Sequence, residues 1–139
     1  MSGQGTGSFL VWREELSVGH AHLDRQHQTI FALINRLFSA MQEGRGEKDL
    51  VGVVQELESY VLTHLADEEG ILESCAYPAL EDHRRRHRRL ARLTGEMSRR
   101  LVRDPFQVEA REVLHLGRSW LEHIRDQDHR YMGCITRPA

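Results

Sequence analysis

Two histidines four residues apart, His83 and His87, have a spacing that suits metal chemistry. On an α-helix, residues four apart share one face and lie about 6 Å apart along the axis, so both imidazoles can reach one metal ion. If this pair holds a metal, other helices must direct further histidine or carboxylate side chains into the same core. The chain carries nine histidines, enough to test that requirement.

The composition is that of an ordinary globular domain. The chain has 139 residues, of which 40% are hydrophobic and 29% charged, and this length suffices for one domain with a buried core. A net charge of -2 argues against a general nucleic-acid-binding surface. No stretch of the sequence reaches the roughly 18 apolar residues of a membrane span, and residues 1–8 lack a signal-peptide pattern. We therefore expect a cytoplasmic protein without nucleic-acid partners and without a membrane span.

The two cysteines, Cys75 and Cys134, are far apart in the sequence and form no recognised metal-binding or redox motif. Isolated cysteines of this kind usually act as small buried hydrophobic residues in a reducing cytosol. We expect both side chains to be free thiols.

Apolar residues recur at helical spacing in four segments. A proline disfavours helical backbone at the residue before it, so Pro78 and Pro105 mark two of the breaks between segments. The predicted helices run from about Leu23 to Gly44, from about Glu47 to Cys75, from about Leu80 to Leu101, and from beyond Pro105 to an end between Asp126 and Asp128. Four amphipathic helices with short connections predict an all-α fold, an antiparallel up-down-up-down four-helix bundle.

The N-terminal residues differ from the rest of the chain. Residues 1–8 are rich in glycine and serine, which predicts a disordered tail. Residues 9–12 form an apolar patch without helical period, which predicts an N-terminal arm lying across the bundle. Residues 9–139 are then a single domain.

Polar side chains occupy positions where the apolar faces of the helices call for hydrophobic residues. A single histidine on such a face is more often a core histidine than a ligand, but here five coincide with a carboxylate. A buried carboxylate without a partner costs several kcal/mol, so it needs a cation or a proton. The inward polar residues are His27, His64, Glu68, His83, His87 and His123.

This set of ligands narrows the choice of metal. The inward residues include no cysteine cluster, which argues against a thiolate zinc site. Five imidazoles and about two carboxylates exceed what one tetrahedral ion can use. Two ions with octahedral preference fit better, with iron favoured and manganese or copper left open.

Other patterns in the chain have simpler interpretations. Glu112 and His115 form a single Glu-x-x-His pair, whereas a ferritin-like di-iron site uses two such pairs. Residues 84–86, all arginine, lie on helix faces that His83 and His87 leave to solvent, so a solvated face is favoured over phosphate binding. The remaining histidines fall outside the inward faces: His20, His22 and His129.

Four motifs taken together resemble the hemerythrin family, most closely its bacterial single-domain members. They are residues 23–27 (LDRQH), which follow Val18-Gly19, then residues 64–68 (HLADE), 83–87 (HRRRH) and 123–128 (HIRDQD). The resemblance extends from about Trp12 to Tyr131 and implies two non-haem iron ions. The iron ligands that it implies are His83, His87 and His123 for one ion, His27 and His64 for the other, and Glu68 and Asp128 bridging both with a solvent-derived oxygen.

Asp128 is the ligand that helical spacing alone would not predict. It lies five residues after His123, which is off the inward face, so it can serve only if the helix ends or turns there. Asp126 is the competing candidate.

The resemblance implies reversible dioxygen binding at the iron held by His27 and His64, without catalysis. The role would be oxygen carriage, storage or delivery, with an oxygen-consuming enzyme or a reductant as candidate partners. The alternative is a di-iron sensor or enzyme acting on dioxygen, nitric oxide or peroxide. A metal-free interaction bundle would require all the inward ligands to be accidental.

One residue departs from the family pattern. Trp120 lies one helical turn before His123, where the family commonly has a small or branched aliphatic side chain. We expect Trp120 to line the ligand pocket, and a repacked core residue is the alternative.

Overall fold

The computed structural model describes residues 9–136, so the tail predicted for residues 1–8 lies outside the described part of the chain. Four long helices and one short helix follow one another: α1 (Ala21–Gln42), α2 (Glu47–Ser74), α3 (Leu80–Arg103), α4 (Ala110–Asp126) and α5 (Met132–Ile135). Single 3₁₀ turns lie at Glu14–Leu16, Pro105–Gln107 and Asp128–Tyr131. There is no strand within residues 9–136.

The long helices form the predicted antiparallel bundle, in which α1 and α3 each pack against both α2 and α4. Helix α1 begins at Ala21, two residues earlier than predicted, because the His20 ring Nδ1 accepts a hydrogen bond from the Leu23 amide and caps the helix. None of the helices in the described range is both long and apolar enough to cross a membrane.

The N-terminal arm lies across α1 and α4. The Asn35 side chain of α1 accepts hydrogen bonds from the amides of Phe9 and Leu10 and donates one to the Leu10 carbonyl. On α4, Gly117 leaves room for the Phe9 ring, since a Cβ there would lie 2.5 Å from a ring carbon. The arm is thus held on the bundle by hydrogen bonds between its backbone and the Asn35 side chain.

Helices α1 and α2 each end in the same type of hydrogen-bonded turn. At the end of α1 the residue after the cap is Gly44, with φ of 68°, and the Arg45 amide donates to the Ala40 carbonyl. At the end of α2 the equivalent residue is Ala76, with φ of 57°. Both are Schellman turns, which usually place glycine at this position because a Cβ is unfavourable there.

The expectation of two free thiols was wrong, because Cys75 and Cys134 form a disulfide with a Cα–Cα distance of 5.9 Å. The bond joins the end of α2 to α5 across a sequence separation of 59 residues. Closing a loop of that length stabilises a fold by about 4 kcal/mol in the chain-entropy model. The cysteines therefore give no support to a cytoplasmic location.

Replacing Ala76 by glycine should stabilise the protein by about 0.5–1 kcal/mol, because it removes a Cβ from a left-handed residue. Ala66→Gly is the matched control, since Ala66 is exposed in the middle of α2, where glycine should destabilise by about 1 kcal/mol. Urea unfolding measures both changes. A loss of stability in Ala76→Gly would show that the turn is not strained.

Candidate metal centre

Seven side chains from all four long helices and the following turn meet in the interior. His27 comes from α1, His64 and Glu68 from α2, His83 and His87 from α3, His123 from α4 and Asp128 from the 3₁₀ turn. All seven are buried, and the most exposed of them, His123, has 7% of its surface accessible. The structure thus brings together every metal ligand implied by the sequence motifs.

The Glu68 carboxylate divides its two oxygens between two groups of imidazoles. Oε1 lies 2.8 Å from His83 Nε2 and 2.9 Å from His87 Nε2. Oε2 lies 3.4 Å from His27 Nε2 and 3.5 Å from His64 Nε2. One carboxylate therefore faces both groups at once.

The two oxygens of Asp128 also face different groups of imidazoles. Its Oδ1 lies 3.1 Å from His83 Nε2 and 3.0 Å from His123 Nε2, while Oδ2 lies 3.2 Å from His27 Nε2. This is possible because α4 ends at Asp126 and the 3₁₀ turn directs Asp128 inward. The competing residue, Asp126, is exposed and pairs with Arg125 instead.

These distances suit metal coordination. Adjacent ligands of an octahedral ion with bonds of about 2.1 Å lie about 3.0 Å apart, and the imidazole-to-carboxylate distances in the cluster run from 2.8 to 3.5 Å. Within residues 9–136, both Asp128 oxygens and Nε2 of His27, His64 and His123 are buried and have no hydrogen-bond partner. Two sets of side chains could each hold an ion: Glu68, His83, His87, His123 and Asp128, and His27, His64 and Glu68.

Residues 18–135 match the sequence model of the hemerythrin HHE cation binding domain. The chain belongs to the hemerythrin family. It is 32% identical over 130 residues to a bacteriohemerythrin of Pseudomonas aeruginosa strain LESB58, covering 91% of this chain and 81% of the relative. It is 31% identical over 127 residues to a bacteriohemerythrin of Stenotrophomonas maltophilia strain R551-3, covering 89% and 80%.

The fold is shared with solved hemerythrin structures. A hemerythrin carrying a leucine-to-tyrosine substitution superposes with a TM-score of 0.85 at 21% identity, covering 93% of this chain and 98% of that one. Membership in the hemerythrin family supports a non-haem iron centre, and the buried histidine and carboxylate cluster is where this chain could hold it.

The carboxylates of this hemerythrin centre are ionised. Burial would raise the pKa of Glu68, but its contacts with the imidazoles of His27, His83 and His87 outweigh burial and hold that pKa well below its usual range. Burial and the neighbouring Glu68 charge likewise oppose ionisation of Asp128, yet the imidazoles around it lower its pKa strongly. Two buried negative charges therefore require positive charge at their oxygens.

In the metal-free protein, protons on imidazoles can supply that charge. Burial lowers the pKa of His27 and of His83, but contacts with Asp128 and Glu68 outweigh burial and raise both values from 6.5 to about 9. His64 differs, because burial dominates and lowers its pKa to about 4. Metal ions and these protons compete for the same oxygens and nitrogens.

Hydrogen bonds behind the cluster fix which nitrogen of His64 faces inward. The Gln26 amide donates through Nε2 to Asp67 Oδ2 at 2.8 Å, and its Oε1 lies 2.8 Å from His64 Nδ1. An amide oxygen only accepts, so His64 Nδ1 must carry the proton. Nε2 is then unprotonated, and its lone pair is free to coordinate a metal. Asp67 also contacts the surface residue His22 at 3.2 Å.

A carboxylate fixes the position of the proton on His87 in the same way, at Nδ1. Glu69 Oε2 lies 2.6 Å from His87 Nδ1, and Glu69 itself pairs with Arg84 at 3.4 Å. The hydrogen bond from His87 lowers the pKa of Glu69 and outweighs burial, which would raise that pKa. His64 and His87 thus differ in the partner of their outer nitrogen, which is a neutral amide for His64 and a charged carboxylate for His87.

Tyr131 is a part of the centre that the sequence patterns did not assign. Its hydroxyl donates to Glu68 Oε2 at 2.9 Å, and burial raises its pKa well above the usual value, so it stays protonated. Gln26 and Glu69 were also missed. Each is adjacent in sequence to a predicted ligand, but adjacency does not show which side chain contacts which ring.

Trp120 is completely buried between the two groups of imidazoles. Its ring centre lies 6.0 Å from that of His64 and 6.2 Å from that of His123. Its indole N–H has no hydrogen-bond partner among the described residues. The bulky ring therefore lies beside one imidazole of each group.

The remaining candidates lie away from the cluster. Glu112 pairs with Arg100 across α3 and α4, and His115 is exposed. Arg85 and Arg86 pair with Asp82 on the outer face of α3, as expected for a solvated face.

Metal affinity should rise with pH between about 6 and 9. Below their folded pKa of about 9, His27 and His83 carry protons that a metal ion must displace, and above it they do not. Displacing two protons strengthens binding by up to about 100-fold per pH unit. Competition between the protein and a chelator for Co²⁺, measured across this pH range, tests the relation. An affinity independent of pH, after correction for the chelator, would contradict it.

Replacing Gln26 by leucine should weaken metal binding by about 10–100-fold, because His64 loses the acceptor that fixes its ring. Gln28→Leu is the control, since Gln28 is exposed on the same helix and should leave affinity unchanged. Chelator competition measures both variants. Equal affinities in the two variants would show that Gln26 does not position His64.

Proposed function

We propose that the chain binds dioxygen reversibly at two non-haem iron ions and serves oxygen carriage, storage or delivery. The observation that carries this proposal is the division of Glu68 and Asp128, each of which directs one oxygen to each group of imidazoles. A carboxylate with this geometry can join two ions. Hemerythrin-like proteins are generally oxygen binders rather than enzymes, which agrees with this assignment.

The two ions would differ in how many protein ligands they have. His83, His87 and His123 would hold one ion and His27 and His64 the other, with Glu68 and Asp128 shared between them. A solvent-derived oxygen would complete the bridge. The ion beside His27 and His64 would then have one protein ligand fewer, so dioxygen would bind on that side. When bound, two ferrous ions would supply the electrons for reversible dioxygen binding.

The protein's own side chains keep the site dry and hold its protons in place. The seven ligands are buried, which excludes water from the reacting region. Tyr131 keeps its proton on the bond to Glu68 Oε2, and His64 and His87 keep theirs on bonds directed away from the centre. Trp120 restricts the space beside His64.

An optical spectrum recorded with iron analysis tests the proposal. The reduced protein should contain about two irons per chain and gain a visible absorption band in air that disappears when oxygen is removed. A folded, colourless protein that takes up no iron would contradict the proposal. Steady consumption of nitric oxide or peroxide in the presence of a reductant would instead favour the di-iron sensor or enzyme.

His87→Ala should lose most of its iron, because one imidazole ligand and its partner contact with Glu69 disappear together. His115→Ala is the control, since it removes an exposed histidine and should keep the wild-type iron content. Elemental analysis of both purified variants measures the difference. An unchanged iron content in His87→Ala would show that His87 does not hold iron.

Trp120→Leu should raise both the oxygen dissociation rate and the autoxidation rate, because a smaller side chain opens the space beside His64 to ligand and water. Trp12→Leu is the control, since Trp12 lies in the arm, where its ring packs against Phe31 of α1. Stopped-flow release and slow bleaching of the oxygenated band measure the two rates. Identical rates in Trp120→Leu and wild type would reduce Trp120 to a packing role.

A further inference from the structure

The segment that follows α4, residues 127–136, supplies two contacts to the buried centre. Asp128 lies against His27, His83 and His123, and the Tyr131 hydroxyl donates to Glu68. Both side chains are completely buried. The position of this C-terminal segment therefore determines the geometry of one carboxylate and the hydrogen bonding of the other.

Beyond Tyr131 the C-terminal segment is only partly buried, and its non-covalent attachment is the packing of Met132 and Ile135 against the apolar cluster that holds Tyr131. No residue of α5 is fully buried, and Gly133 and Thr136 are exposed. Tyr131 packs in a small apolar cluster with Val18, Leu23 and Leu72, and the Cys75 side chain packs against that cluster. The disulfide between Cys75 and Cys134 is the covalent attachment of this segment to α2.

We propose that the Cys75–Cys134 disulfide is a thiol–disulfide exchange site for a dithiol reductant, and that its redox state controls how firmly the C-terminal segment holds the metal centre. The inference concerns the same centre as the proposed function. It adds a chemical input that acts through Cys134, six residues along the chain from Asp128 and three from Tyr131.

The position of the pair allows exchange in the folded protein. Both cysteines are partly exposed, and their neighbours Ser74, Ala76 and Gly133 are exposed, so an external thiolate can approach. Each sulfur also lies near a carbonyl oxygen that its thiol could donate to after reduction. Cys134 Sγ is 3.0 Å from the Cys75 oxygen and Cys75 Sγ is 3.5 Å from the Leu72 oxygen.

The reaction balances without any further reactant. A thiolate of the dithiol attacks one sulfur of the pair, the S–S bond breaks, and a mixed disulfide forms. The second thiol of the reductant then displaces the bound cysteine, so the reductant becomes a disulfide and Cys75 and Cys134 become thiols. Two electrons and two protons pass from the dithiol to the protein, and an oxidised dithiol reverses the exchange.

Reduction removes the covalent attachment but leaves the Tyr131 packing, so we expect loosening of residues 127–136 rather than unfolding of the bundle. The loosened segment spends more time with Asp128 away from the imidazoles. Metal should then leave the centre faster, because a carboxylate shared by the two sets of ligands is no longer held in place.

The test uses dithiothreitol on the intact chain under native conditions, with the Cys75→Ser, Cys134→Ser double variant as control. Mass spectrometry should show a gain of two hydrogens per chain while the protein stays folded. Amide hydrogen exchange in residues 128–135 should rise, with α1 unchanged. Iron release to a chelator should become about ten-fold faster. The double variant should show the fast release from the start and should not respond to the reductant, which controls for direct action of the dithiol on iron.

Three results would overturn the inference. The disulfide could resist dithiothreitol until the protein unfolds, exchange in residues 128–135 could stay the same after complete reduction, or iron release could stay the same. Hydrogen exchange is measured on the metal-free protein as well. A chain that holds no iron but responds in that measurement would count against the proposed function while supporting the redox-controlled attachment.

Discussion

The structure depends on two ionised carboxylates, Glu68 and Asp128, enclosed in the middle of a four-helix bundle. Negative charges cannot lie in such a core without positive charge close to their oxygens. Five imidazoles, at least one from each long helix, surround these two groups. Their nitrogens could bind metal ions or carry protons, so the core could be neutralised both with metal and without it.

That constraint explains the arrangement behind the ligands. Gln26 and Glu69 bind the outer nitrogens of His64 and His87, which leaves the inner nitrogens free to coordinate. Tyr131 satisfies one oxygen of Glu68. The end of α4 at Asp126 and the turn after it bring Asp128 inward. A continuous helix would have directed that carboxylate away from the core, so the irregular C-terminal segment is as necessary to the centre as the regular helices.

Much of this could be predicted from the sequence, because helical periodicity reports which side chains face inward. The apolar stripes predicted the helices to within a few residues and placed five histidines and Glu68 in the core. Asp128 required the family resemblance, since its spacing from His123 does not fit a helix. Contacts between different helices leave no local pattern, which is why Tyr131 and Glu69 were missed. The expectation of two free thiols was wrong for the same reason: residues 75 and 134 become neighbours only after the bundle has formed.

The central claim is that Glu68 and Asp128 lie between two iron ions. Anomalous diffraction at the iron edge, from crystals of the iron-loaded protein, tests it most directly. The account predicts two peaks about 3.5 Å apart, one beside His83, His87 and His123 and the other beside His27 and His64. A single peak, or two peaks with neither carboxylate between them, would contradict it.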